Sequence, residues 1–241
     1  MKTITVLLCD DHAIVRAGLR ALLAAAGDMR VIGEAENGRQ AVLETKRLQP
    51  NVVLLDLAMP LLNGVQAARQ IAQEAPRTRV LILSSYNDDE HLRQAVEAGV
   101  AGYLMKESAG DDLLEAVRET SNGGASFSPP LLNRLSREWR GGPPDGRGAT
   151  TRVAILSRRQ AEILQLIAEG YATKQITGLL PVSMKTVEKH RQSLMDKLGL
   201  HNIASLTRYA VSSGIIESNV IRGWPALSLR ASRGRKKTTR Q

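Results

Sequence analysis

The chain has 241 residues, enough for one large or two ordinary domains, with a formal charge of +9. One cysteine excludes an internal disulfide, and no apolar stretch is long enough to cross a bilayer as a helix. The first apolar segment is short and turns acidic at once, unlike a secretory signal, so a cytoplasmic protein with no membrane partner is expected.

The charge is unevenly spread. Residues 1–122 hold 13 Lys and Arg against 17 Asp and Glu, a net of −4; residues 123–241 hold 20 against 7, a net of +13. An acidic half joined to a basic half predicts two tasks, the second on a polyanion.

The first half alternates apolar runs with amphipathic stretches. Strands are predicted at 4–9, 30–35, 52–55, 79–83 and 102–104, and helices at 13–26, 39–48, 65–74, 90–98 and 111–120. The helices carry apolar residues at 3.6-residue spacing, as in Leu113, Leu114 and Val117. Five βα units predict an α/β fold, a five-stranded doubly wound parallel sheet with helices on both faces. Cys9 falls inside the first strand and is expected in the core.

Four of the strands end in polar groups. Asp10 and Asp11 follow the first, Asp56 the third, Ser84 the fourth and Lys106 the fifth. In such a sheet, functional groups gather at the C-terminal strand ends. Three carboxylates brought together need a cation, which Lys106 and a bound Mg²⁺ would supply. Asp56 can attack a phosphoryl group to give an acyl phosphate. Asp10 and Asp11 would hold Mg²⁺, Lys106 would bind a phosphoryl oxygen as a point charge, and Ser84 would donate to another. Phosphoryl transfer needs mostly positioning and charge neutralisation, and this set provides both.

The motifs Leu8-Cys9-Asp10-Asp11-His12, Leu55-Asp56-Leu57-Ala58-Met59-Pro60, Leu83-Ser84-Ser85 and Gly102-Tyr103-Leu104-Met105-Lys106 resemble those of a response-regulator receiver domain, with its flavodoxin-like fold. The resemblance implies that Asp56 accepts phosphate from a histidine kinase. It implies that Asp10, Asp11, Asp56 and the Ala58 carbonyl surround Mg²⁺. It also places Ser84 and Tyr103 on the family's switch pair, Ser84 moving toward the phosphate and Tyr103 turning inward. Glu107 stands where many receivers have proline. Ala58 and Tyr86 flank the expected water path and would tune the phosphoryl lifetime.

Residues 123–152 read as a linker rich in glycine and proline, with one helix at 130–139. Residues 153–217 read as four helices, at 158–169, 174–180, 184–198 and 203–213. Ser157 and Gln160 form a capping box for the first, Ser183 caps the third and Gly199 stops it. Such a short helix–turn–helix connection marks a DNA-binding motif. Residues 218–241 form a basic tail, expected to be disordered and to add non-specific DNA affinity.

The segments 156–164, 168–176, 182–191 and 197–200 resemble the LuxR-type helix-turn-helix, and the whole chain resembles the NarL/FixJ family of response regulators. Thr177-Gly178 and Pro181 depart from the family pattern, and Gly178 weakens its helix by roughly 1 kcal/mol. The third helix turns Val187, Leu194, Met195 and Leu198 inward. Its N-terminal half is placed to enter a major groove. Lys185, Thr186 and Arg191 are assigned to phosphates, and Glu188, Lys189 and Gln192 to base edges.

These readings combine into a two-domain transcription regulator, not an enzyme, phosphorylated on Asp56 and binding DNA as a homodimer. The family resemblance implies that the receiver covers the recognition helix until phosphorylation releases it. Two alternatives are a phosphatase-like enzyme, against which the Asp10-Asp11 doublet argues, and a phosphorylation-independent DNA-binding protein whose receiver is a dimerisation module.

Overall fold

The computed structural model describes residues 3–85, 89–107, 110–127 and 156–216. The expectations for Tyr86, for a helix at 130–139 and for the basic tail lie outside the described residues.

The N-terminal domain is a parallel sheet of order β2-β1-β3-β4-β5-β6. Its strands are β1 (Ile4–Cys9), β2 (Met29–Ala35), β3 (Val52–Asp56), β4 (Arg79–Ser84), β5 (Gly102–Met105) and β6 (Ser126–Phe127). The five predicted strands are all present. The sixth is two residues long and lies in the segment expected as linker; it pairs Gly102 with Ser126 and Tyr103 with Phe127. So short a strand has no periodicity to show in the sequence.

Side chains alternate across the sheet, which divides the core in two. Leu7, Cys9, Val53, Leu55 and Ile82 face one way, against α2 (Gly38–Leu48), α3 (Gly64–Glu74) and α4 (Asp89–Glu97). Val6, Leu8, Leu54, Leu81 and Leu104 face the other, against α1 (Ala13–Ala25) and α5 (Gly110–Ser121). Fully buried leucines such as Leu7, Leu8 and Leu54 each contribute roughly 1.5–3 kcal/mol. Cys9 is among them, and burial pushes its thiol far above the usual range, which makes it an inert core residue.

The chain leaves β1 toward β2 on one side and enters β3 on the other. The C-terminal ends of β1 and β3 therefore flank the topological switch point, where open α/β sheets form their crevice. Asp10 follows β1 directly, and Asp56 is the last residue of β3.

The C-terminal domain packs α6 (Arg158–Ala168), α7 (Thr173–Leu179), α8 (Met184–Leu198) and α9 (Ile203–Ser212) around Ile163, Leu164, Leu166, Ile176, Val187, Leu194, Leu198, Leu206 and Ala210. The Ser157–Gln160 capping box forms as predicted. Ser183 caps α8 by accepting from the Thr186 amide, and Gly199 ends it at φ 65°, a left-handed value that glycine adopts without strain. Of the predicted inward stripe on α8, Met195 is only partly buried.

Candidate functional site

The strand ends bring the predicted groups together. Asp10 and Asp56 are only 2% and 4% exposed. Lys106 Nζ lies 2.8 Å from Asp10 Oδ2 and 3.0 Å from Asp56 Oδ1, bridging the two carboxylates. Ligand atoms of Asp10, Asp11, His12 and Asp56 all lie within 4.8 Å of one another. Ser84 is fully buried at the end of β4, and its carbonyl accepts from the Lys106 amide at 2.8 Å. This bond sets the lysine beside β4 and hence beside Asp56.

Backbone geometry fixes the acids. Asp10 Oδ1 accepts from the His12 amide at 2.8 Å, a local turn that fixes the doublet's first carboxylate just before α1. Gly64, the first residue of α3, sits against the end of β3; a Cβ there would lie 2.2 Å from the Asp56 carbonyl. Asn63 caps α3 through the Gln66 amide at 2.9 Å.

The electrostatics follow from burial. Desolvation is the largest influence on Asp56 and pushes its carboxyl up to about 7, with Asp10 adding to the rise and Lys106 opposing it. Burial works against the Lys106 charge, but Asp56 and Asp10 outweigh it and hold the ammonium above its usual range. Asp11 Oδ1 is buried and makes no hydrogen bond, facing the His12 ring at 2.8 Å. A hard oxygen donor without a hydrogen bond, two further carboxylates and a crevice at the sheet end fit a divalent cation such as Mg²⁺. Ala58, whose carbonyl was expected as a ligand, lies in the loop between Asp56 and α3, partly exposed. Tyr103 is 1% exposed and packs into the core beneath α4.

In the second domain, Lys185, Glu188, Lys189 and Gln192 are exposed along α8. Gln192 reaches Asp196 at 2.8 Å. Thr186 is partly buried and bonded to Ser183 at 2.9 Å. Arg191 lies closer to the body and reaches Thr173 Oγ1 at 3.4 Å, so it is less free than the other assigned contacts.

The expected cover over the recognition helix takes another form. The receiver docks chiefly on α6, on the segment after α9 and on the end of α7, and leaves those four α8 side chains exposed. Gln165 reaches Met59, Glu169 reaches Leu61 and Asn63 reaches Ile215. Arg39 Nη1 donates to the Leu179 carbonyl, and His91 contacts the Gly214 carbonyl at 3.3 Å. The sequence reading missed Glu162, Gln165 and Glu169. Their spacing along α6 gives a polar stripe, which reads as a solvated face until a second domain covers it.

Residues 6–118 match the response regulator receiver domain family, and residues 154–210 match the luxR family of bacterial regulatory proteins. The response regulator VraR of Staphylococcus aureus is 33% identical over 215 residues, covering 89% of this chain and all of VraR. The solved structure of the RcsB response regulator from Salmonella typhimurium aligns with a TM-score of 0.54 at 27% identity, over 88% of this chain and all of that one. An RcsB–DNA complex aligns with a TM-score of 0.53 at 27% identity, over 88% of this chain and 99% of that one. With both domains matched in order and a relative similar along nearly its whole length, this chain belongs to the NarL/FixJ family of response regulators, DNA-binding transcription regulators that join a receiver to a LuxR-type helix-turn-helix.

Proposed function

We propose that Asp56 accepts a phosphoryl group from a cognate histidine kinase in the cytoplasm, and that its phosphorylation controls homodimerisation and promoter binding. The observation that supports this best is the Lys106 bridge, 2.8 Å from Asp10 and 3.0 Å from Asp56, over a cluster of carboxylates at the sheet's switch point.

In this reading an Asp56 carboxylate oxygen attacks phosphorus. The phosphorus–nitrogen bond of a phosphohistidine breaks, and its electron pair stays on the imidazole, which takes up a proton. Lys106 swings from its bridge onto a phosphoryl oxygen and keeps its charge throughout. The Ser84 hydroxyl donates to a second oxygen. A divalent cation held by Asp10, Asp11, Asp56 and the Ala58 carbonyl supplies further neutralisation of phosphoryl charge when bound. In the DNA-binding half, Lys185, Thr186 and Arg191 hold phosphates while Glu188, Lys189 and Gln192 meet base edges.

Intact mass after incubation with acetyl phosphate and Mg²⁺ tests the chemistry. Wild type gains one phosphoryl group and Asp56→Asn gains none. An adduct on both, or on neither with beryllofluoride also failing to bind, rejects Asp56 as the acceptor.

A second reading has DNA binding independent of phosphorylation, with the receiver as a dimerisation module. The exposed face of α8 in the docked arrangement favours it. Equal operator affinity of wild type and Asp56→Asn, each with and without beryllofluoride, would select it.

A further inference from the structure

The loop between Asp56 and α3 is held from two sides. From the DNA-binding domain, Glu169 accepts from the Leu61 amide at 3.1 Å and 3.3 Å through its two oxygens. Gln165 accepts from the Asn63 amide at 2.9 Å and donates to the Met59 carbonyl at 3.0 Å. Gln165 also donates to Glu169 at 2.7 Å, so the two side chains act as one unit. Both are buried, at 0% and 2% exposure. From the receiver, Gly38 of α2 lies so close that a Cβ would stand 1.9 Å from the Leu62 carbonyl.

Leu61, at the centre of the loop, has φ 67°. That left-handed conformation is unfavourable for a leucine. Its side chain packs against the core of the DNA-binding domain. A tight turn closed by the Leu62 amide on the Pro60 carbonyl at 2.8 Å sets this conformation within the receiver, and the second domain grips it from outside through the Leu61 amide and side chain.

We propose that residues 59–63 form a latch, a direct output from Asp56 to the DNA-binding domain that is separate from the Ser84–Tyr103 pair and is closed by Gln165 and Glu169. The proposal rests on Asp56 being the phosphoacceptor. Tyr103 is packed in the core while the domains are docked, so its burial does not by itself release them. Among the described residues, the loop starts at the acceptor residue and ends on the second domain.

Charge sets the direction of the switch. Glu169 and Glu162 are buried acids that face the receiver, with the Arg39 guanidinium beside both and Arg159 nearby. Phosphorylation adds about −1.5 to −2 charges at Asp56. Repulsion of Glu169 weakens the closed latch, the loop loses its bonds to Gln165 and Glu169, and the domains part. Coupling of this kind is reciprocal. Loss of the latch residues in the DNA-binding domain must tighten binding of a phosphoryl mimic in the receiver.

The test uses the full chain, with beryllofluoride and Mg²⁺ titrated by calorimetry and domain docking followed by X-ray scattering. Gln165→Ala/Glu169→Ala is expected to widen the scattering profile without the mimic. It is expected to bind the mimic on the order of 5- to 100-fold more tightly than wild type, as couplings of ordinary size require. Glu169→Gln keeps the shape and the acceptor oxygen but drops the charge, so it should stay docked when the mimic binds. Circular dichroism identifies a variant that fails to fold, in which case Glu169→Gln decides alone. Wild-type affinity in the double variant, or release of Glu169→Gln by the mimic as in wild type, overturns the latch and leaves the phosphoacceptor reading standing. No binding of the mimic to wild type overturns both.

Discussion

Arg16 Nη1 donates to the Asp10 carbonyl at 2.7 Å from beneath α1. The same guanidinium reaches Glu34 at 3.0 Å and Glu36 at 2.9 Å on β2 and just beyond it. One buried arginine thus ties the first helix and the second strand to the backbone of an acid in the proposed cation site. Arg16→Met should lower unfolding free energy by about 2 kcal/mol, since it leaves the Asp10 carbonyl and Glu36 without their charged donor and Glu34 with Arg20 alone. Arg16→Lys keeps one donor and should lose less. Urea denaturation of both variants measures the difference, and equal stability of Arg16→Met and wild type would show that the network contributes nothing net.

Gly64 is required by space. Its Cα lies against the Asp56 carbonyl, where a Cβ would meet oxygen at 2.2 Å. Gly64→Ala must move either α3 or the end of β3, at a cost of about 1–3 kcal/mol. Because the displaced strand end carries Asp56, acceptance of phosphate from acetyl phosphate should fall as well, and intact mass over time reads the loss. Wild-type rates in a folded Gly64→Ala protein would contradict this account.

The Asp56 carboxyl, raised to about 7 chiefly by burial, makes cation binding compete with a proton. Below pH 7 the site must release that proton before it can hold Mg²⁺. Apparent Mg²⁺ affinity should therefore rise with pH, by up to about tenfold per unit between pH 5 and pH 7, and level off above. Calorimetric titration in several buffers also shows the released proton directly. A flat profile across this range would mean that Asp56 is ionised throughout.

Much of this site can be read in the sequence because each member sits at the end of an apolar strand. Val52–Leu55 is buried on both sides and reads as one continuous apolar run, so the position of Asp56 follows from strand length alone. The helix-turn-helix is equally legible through Ser157, Ser183 and Gly199, which mark helix ends by local chemistry. The domain contact was not legible. Gln165 and Glu169 occupy a helix face with ordinary solvated polar spacing, and only the other domain, roughly a hundred residues away in sequence, turns it into a buried surface. Leu61 is similar: its positive φ belongs to a tight turn closed by the Leu62 amide on the Pro60 carbonyl, which no glycine marks, and its contact with Glu169 is set by the other domain.

Gly178 offers a change in stability away from both sites. It lies in α7, exposed, with open space where a Cβ would go and no positive φ. Gly178→Ala should stabilise the DNA-binding domain by about 0.5–1 kcal/mol by reducing the entropy of the unfolded chain. Thermal melting of the full chain measures it. A decrease would show that the flexibility of α7 contributes to folding of the motif.

The exposed face of α8 makes distinguishable predictions for its two outer lysines. Lys185, at the start of the helix, is assigned to a phosphate, and Lys189, one turn on, to a base edge. Both are exposed. Lys185→Ala should weaken binding uniformly across sequences and reduce the slope of log affinity against log salt by about 1. Lys189→Ala should cost about 1–3 kcal/mol on the preferred operator, and much less on an operator altered at the contacted base pair. Fluorescence anisotropy at four salt concentrations, on both operators, separates the two effects. If the two variants behave alike in slope and in sequence preference, the division of α8 into phosphate and base contacts is wrong, and the helix lies in the groove at a different rotation from the one assigned here.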